Sequence, residues 1–311
     1  MNSSPASGRD GPLLPIAIVV TVLAWASAFI VIRAAAAEYH PAALALGRLL
    51  VGTAALSLLV IGRRWVRLTA REWLLVGIYG TAWFGLYNAA LNTAETTLDA
   101  GTTAMVVNIG PLLIALGGAL VLREGMTRWL GLGLVIAFAG ALLIGASSST
   151  GRVDLAGVVW ALVAAVTYAA GVLAQKPVLR RLPNGQVTFL GCAIGAVVLL
   201  PFSGQLVADA AAASTGATLG LVYLGIVPTA LAFTTWGYAL QRMPASRLGV
   251  TTYVVPPIVI LLGLLVFQEA PAALALAGGA LCLAGVAISR RRSRPAPDPD
   301  AVPERTGNLA Q

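Results

Sequence analysis

Ten apolar runs, each long enough to cross a bilayer, occupy this chain almost from end to end, and the second five repeat the first five. Their approximate limits are 13–32, 42–61, 73–92, 102–122, 129–146, 155–175, 186–202, 218–240, 250–267 and 272–289. A hydrocarbon core calls for helices of roughly 17 to 25 apolar residues, which all ten supply. The seventh run is the shortest and leads into an Ala-rich stretch ending at Ala213. With 58% hydrophobic and 10% charged residues, a soluble chain of this size would lack the interior to hide its apolar surface. The expected fold class is therefore an all-α integral membrane protein. Ten transmembrane helices are expected, as two inverted five-helix repeats.

The basic residues set an orientation. Nineteen Arg and one Lys are present. With the N-terminus in the cytoplasm, seventeen of the twenty fall on inside segments, including Arg63, Arg64, Arg67 and Arg71 and the cluster Arg290–Arg292. Arg33 and Arg152 fall outside, and Arg48 lies within the second run. That bias places both termini in the cytoplasm. The net charge of +8 is thus a topology signal, and no nucleic-acid partner is expected. Residues 1–12 read as a polar tail and 290–311 as a disordered, basic and Pro-rich cytoplasmic tail. No cleaved leader is expected, because the first apolar run is long enough to stay as a span. Cys192 and Cys282 read as small core residues.

A shift of 145 residues superimposes the halves, 13–146 on 155–289. Pro111, Gly118 and Glu124 fall on Pro256, Gly263 and Glu269, and Gly80, Gly133 and Gly140 fall on Gly225, Gly278 and Gly285. Five spans is an odd number, so the second copy enters the membrane upside down. Inverted repeats of this kind place a substrate site near the midplane between the halves and make inward-open and outward-open states similar in energy.

The chain carries Trp25-Ala-Ser-Ala-Phe29 leading to Arg33, Leu44-Ala-Leu-Gly-Arg48, Gly110-Pro111 followed by Arg123-Glu124-Gly125, Tyr223-Leu-Gly-Ile-Val-Pro228 and Pro244-Ala-Ser246. In the order and spacing of these motifs it resembles the EamA family of the drug/metabolite transporter superfamily. It departs at Ala26, where the family usually has Gly, and at Thr167-Tyr168, where a Trp is frequent. The resemblance implies an exporter of amino acids or other small metabolites, built from ten helices. The expected location is a bacterial inner membrane. Efflux of organic cations or drugs is the alternative, and a membrane-embedded enzyme is a further one.

Polar and aromatic residues inside spans need a reason in lipid. Tyr79, Trp83 and Tyr87 form one i, i+4, i+8 stripe beside Asn88, running over about 12 Å of helix, and an interfacial belt would stay at one depth. Trp25, Phe29 and Arg33 repeat that spacing in the first run. The expected substrate-binding residues are Trp25, Arg48, Tyr79, Trp83, Tyr87, Asn88, Asn108, Tyr168, Trp236 and Tyr253. Arg48 reads either as a partner for a substrate carboxylate or as a structural cation. Arg33 and Lys176 read as interfacial anchors. Pro111 and Pro256 each remove a donor in mid-span and are expected to act as hinges during gating. Glycines seven apart in the fifth and tenth runs are expected to bring those helices close.

No Asp or Glu sits at the middle of a run, so facilitated diffusion or exchange is expected. Coupling through end carboxylates such as Glu124 and Glu269 is the other option. The chain has no phosphate-binding loop for ATP. His40 is the only His, and no catalytic or metal-ligand grouping is evident, so neither an enzyme nor a metal or cofactor is expected. The expected partners are a small-molecule substrate, the lipid bilayer and, as one option, a second copy in a homodimer.

Overall fold

A computed structural model describes residues 13–121, 128–146 and 154–289. Glu124, Arg152 and both tails lie outside the described residues. Fifteen α-helical segments and no strand occur among them. The first half contains α1 (Leu13–Ala35), α2 (Pro41–Val60), α3 (Ala70–Tyr79), α4 (Tyr87–Thr97), α5 (Ala100–Val107), α6 (Gly110–Val121) and α7 (Arg128–Ala146). The second contains α8 (Leu155–Val178), α9 (Asn184–Leu199), α10 (Ser203–Ala212), α11 (Thr215–Leu224), α12 (Ala232–Arg242), α13 (Ala245–Thr251), α14 (Val255–Phe267) and α15 (Ala273–Ser289).

Seven helical stretches, some of them interrupted, are long and apolar enough to span a membrane: Leu13–Ala35, Pro41–Val60, Ala70–Thr97, Ala100–Gly118, Leu155–Val178, Asn184–Ala212 and Thr215–Arg242. Two shorter apolar helices, Thr252–Phe267 and Ala273–Gly285, complete that set among the described residues. The surface is that of a protein in lipid. Leu58, Val207 and Leu265 are about 70% exposed, whereas Arg48, Asn88, Asn92 and Glu95 are buried.

Local chemistry explains the helix ends. Thr69 and Glu72 form a reciprocal capping box that starts α3, and the Asp99 and Ser214 side chains accept the backbone N–H of Thr102 and Ala217 to start α5 and α11. Each such cap satisfies an orphan donor of the first turn. The third run extends past its expected end at 92 to Thr97, which brings Glu95 inside the helix. The seventh run is also longer than its apolar core. A 3₁₀ turn at Leu200–Phe202 accommodates Pro201, and the Ala-rich stretch continues as α10.

Pro111 and Pro256 do not kink continuous helices. Each lies in the first turn of a new segment, α6 or α14, where a missing N–H costs nothing. The breaks lie just upstream, at Asn108 and in the 3₁₀ turn Thr252–Val254.

Two π-helical turns, Gly80–Leu86 and Gly225–Leu231, interrupt α3/α4 and α11/α12 at positions 145 residues apart. Neighbouring side chains satisfy the carbonyls they free. Asn88 Nδ2 donates to Phe84 O at 2.7 Å, and Thr229 Oγ1 donates to Leu224 O at 2.7 Å. The first turn packs on α9 and the second on α2. A Cβ at Gly80 would stand 2.7 Å from Gly191 O, so that approach requires glycine. Helices α7 and α15 meet even more closely. A Cβ on Gly140 would lie 2.5 Å from Gly278 O, and one on Gly278 would lie 2.7 Å from Gly140 O.

Candidate functional site

A cavity opens where α1, α2, the first π turn, α4, the α5/α6 break, α8, α12 and the Thr252–Val254 turn converge. Trp25, Ala28, Phe29, Arg48, Trp83, Tyr87, Leu91, Val107, Asn108, Tyr168, Phe233, Thr252 and Val255 line it. Its volume is about 50 Å³, space for a few waters at roughly 10–15 Å³ each. An amino acid would therefore enter only after the walls separate.

Aromatic rings supply six of the thirteen lining residues. Trp83 stands at the centre, with ring centroids 6.0 Å from Trp25, 5.0 Å from Tyr168, 4.8 Å from Phe233 and 5.7 Å from Trp236. Such tilted and edge contacts contribute about 0.5–1.5 kcal/mol per pair beyond area burial. The backbone of α8 presses directly on this residue, since a Cβ at Gly171 would collide with the Trp83 side chain.

Arg48 is the one charged residue in the described lining. It is 3% exposed and does not snorkel. Its Nε donates to Thr229 Oγ1 at 3.2 Å, while Nη1 is buried without a partner. A cationic fork with a free donor, inside an aromatic wall, is equipped to bind a carboxylate.

Asn108 joins the two helix breaks. Its Nδ2 donates to Ala104 O at 3.2 Å, and its Oδ1 accepts from Thr252 Oγ1 at 3.4 Å. Irregular backbone from both halves thus meets at the cavity, an arrangement tolerated at membrane depth where it lines a cavity.

Trp25, Arg48, Trp83, Tyr87, Asn108 and Tyr168 are brought together in the lining. The other four expected site residues lie elsewhere. Tyr79 is fully buried behind the wall, its hydroxyl accepting from Gln175 Nε2 at 3.0 Å. Asn88 serves the π turn, and Trp236 packs behind Trp25 at 5.0 Å. Tyr253 sits beside Thr252 but is not part of the lining. The π turn accounts for Tyr79, because it breaks the α-helical register that would align that residue with Tyr87. Of the unpredicted lining residues, Leu91 continues the Tyr87 spacing by one more turn. Phe233 is signalled only by lying 145 residues after Asn88.

Ion pairs tie the halves at both ends. Arg33 binds Glu269 through Nε at 3.3 Å and Nη2 at 2.9 Å, and its Nη1 donates to Glu95 O at 3.1 Å. At the opposite end Arg181 pairs with Glu72 and donates to Arg67 O at 2.8 Å. The Glu72 carboxylate raises the Arg181 pKa further above its ordinary value. Lys176 Nζ donates to the Leu240 and Met243 carbonyls at the end of α12. Arg33 and Lys176 are therefore interhelical ties in addition to lying near helix ends. Glu95 differs from every other described carboxylate here: it is 0% exposed, and neither oxygen has a partner.

The sequence profile of the EamA-like transporter family matches residues 13–146 and again 155–291. The chain belongs to this family. A relative from Streptantibioticus cattleyicolor, named a probable terminal-alkyne amino-acid exporter, is 35% identical over 279 residues, 89% of this chain and 93% of the relative. The uncharacterized transporter YdfC of Bacillus subtilis is 31% identical over 85% of this chain and 87% of its own length. A protein of Salmonella typhimurium named a probable amino-acid metabolite efflux pump is 27% identical over 91% of this chain and 95% of its own length. A solved crystal structure covering 89% of this chain and 96% of its own superposes with a TM-score of 0.63 at 20% identity, a likeness of fold. This EamA-like protein is accordingly a multi-pass membrane transporter, and the cavity is the candidate chamber for what it carries.

Proposed function

We propose that this EamA-like transporter exports small metabolites, above all amino acids or related compounds, across a bacterial inner membrane by alternating access. Arg48 carries the proposal. Its buried, incompletely bonded guanidinium is the one charged group in a chamber walled mainly by apolar and aromatic residues, where it would hold the substrate carboxylate while the aromatic rings receive an apolar side chain. The same cation argues against organic cations, which an aromatic cage alone would attract. The names of two relatives, both concerning amino acids, point the same way.

Two inverted five-helix halves, with both termini in the cytoplasm, would provide the motion. The equal spacing of the π turns and the double profile match support such a repeat. Packing supports it too, because contacts between halves come in mirrored pairs: the first π turn with α9 and the second with α2, α4 with α8 and α12 with α1. Exchanging the conformations of the halves would convert an inward-open chamber to an outward-open one. Arg33–Glu269 and Glu72–Arg181 then stand as ties at the outer and inner ends. Pro111 and Pro256 mark the segment starts about which α6 and α14 would swing.

The test is a resistance profile of cells overproducing the protein against toxic amino-acid analogues and organic cations. Protection against apolar amino-acid analogues, lost in Trp83→Ala, is the expected result. Protection against cations alone, or against nothing, refutes the proposal.

A further inference from the structure

We infer that Glu95 is a proton-binding site whose occupancy sets whether the outer end of the chamber opens. The inference rests on the transporter orientation proposed above and on no particular substrate.

Glu95 follows Tyr87 and Leu91 at i+4 and i+8 on regular helix α4. Tyr87 and Leu91 both line the chamber, so Glu95 lies about 6 Å of helical rise beyond its edge on the same face. Above it is Arg33, whose Nη1 already touches the Glu95 carbonyl oxygen and whose other nitrogens hold Glu269. The carboxyl is thus sealed between the chamber and the outer tie.

A buried carboxylate with no partner is far more costly than the neutral acid. The closed arrangement is accordingly the one in which Glu95 carries a proton. The charged groups that act on it come from each neighbouring element: Arg33 on α1, Arg48 on α2, Asp99 at the start of α5 and Glu269 after α14. Helix α8 adds none of these, and presents Gly157 against Thr97 and Leu98. Asp99 is occupied by the Thr102 amide and hydroxyl, and Glu269 by Arg33. Glu95 alone among these acids is free to change partner.

Loss of its proton creates a carboxylate that competes with Glu269 for Arg33. Taking Arg33 dissolves the tie to Glu269 and frees the outer end. Proton uptake from outside neutralises Glu95, returns Arg33 to Glu269 and closes that end. A proton released later to the cytoplasmic side completes a cycle in which one proton enters as cargo leaves. The step moves only a proton between water and the carboxyl oxygen.

The experiment places a cysteine at Ala28, in the chamber wall, with Cys192 and Cys282 replaced by Ala, and labels oriented vesicles with a membrane-impermeant maleimide. Outer labelling is expected to rise about tenfold per pH unit while Glu95 is mostly protonated. Glu95→Asp is expected to keep the response and Glu95→Gln to remain slow at every pH. A pH response unchanged in Glu95→Gln, no response in the parent, or a response to sodium rather than pH overturns the inference. Labelling confined to the cytoplasmic face overturns the proposed orientation instead. Infrared spectra of the parent protein with labelled glutamate judge Glu95 even if the variants fail to fold. A protonated-carboxyl band that vanishes over the same pH range is required, and its absence refutes the site.

Discussion

Replacing Arg48 with Met separates a substrate-binding cation from a structural one. Among the described residues Arg48 makes one side-chain hydrogen bond, Nε to Thr229 Oγ1 at 3.2 Å, and buries Nη1 unpartnered. Thr229 donates its own hydroxyl to Leu224 O, so losing the guanidinium leaves only a hydroxyl lone pair unused. Met keeps an apolar stem of comparable reach and removes a buried charge. Such replacements of buried charge by apolar groups are commonly neutral or stabilising. The thermal midpoint in detergent should therefore hold or rise. Transport should move the other way. A hydrogen bond from a charged donor to a carboxylate contributes about 1.5–3 kcal/mol, so KM for leucine counterflow in proteoliposomes should increase about 10- to 150-fold. Arg48→Lys should recover part of that loss, because it restores the charge without the planar fork. The reasoning is refuted if Arg48→Met transports with an unchanged KM, or if stability and transport fall together.

Asn88→Leu removes the donor that satisfies the Phe84 carbonyl in the first π turn, and it should cost about 1–3 kcal/mol in chemical denaturation; an unchanged midpoint would contradict the assigned role. Gly140→Val drives side-chain atoms into the Gly278 backbone, and overpacking of about 1–3 kcal/mol should lower the thermal midpoint. Gly131→Val, with open space at its Cβ position, serves as the control and should do far less. Glu38 lies between the first two spans, and its carboxylate accepts from the Ser214 amide at 2.5 Å and hydroxyl at 2.8 Å. Those bonds lower its pKa below the ordinary 4.5. The stabilisation is thus fully present above that value and disappears as pH falls through the lowered one. Protection of the Ser214 amide, its exchange rate set against the intrinsic rate at the same pH, should fall over that acidic interval, and Glu38→Gln should abolish that fall.

The membrane class and the helix positions were legible because lipid imposes a single crude requirement, an uninterrupted apolar length. Gly140 and Gly278 were legible for a related reason. Without a hydrophobic drive between helices in lipid, small residues in register mark close backbone approach. Pro111 and Pro256 were readable as special positions but not in their local geometry. A proline permits either a kinked helix or the first turn of a new one, and only the Asn108 C-cap and the 3₁₀ turn Thr252–Val254 just upstream decide between them.

Site residues were harder to read because burial behind a wall and exposure on it use the same chemistry. Tyr79 and Tyr87 share a spacing, yet the intervening π turn leaves one hydrogen-bonded to Gln175 and the other facing the chamber. Glu95 exposes a deeper limit. Its place near the end of an apolar run reads as solvated, since helix ends usually reach water. Its actual environment depends on α4 continuing to Thr97 and on two groups remote in sequence, Arg33 folding across it and Glu269 holding Arg33 there. No periodicity within one helix carries that information. Because Arg33 both holds Glu269 and touches the Glu95 carbonyl, any motion that parts Arg33 from Glu269 also changes the surroundings of Glu95.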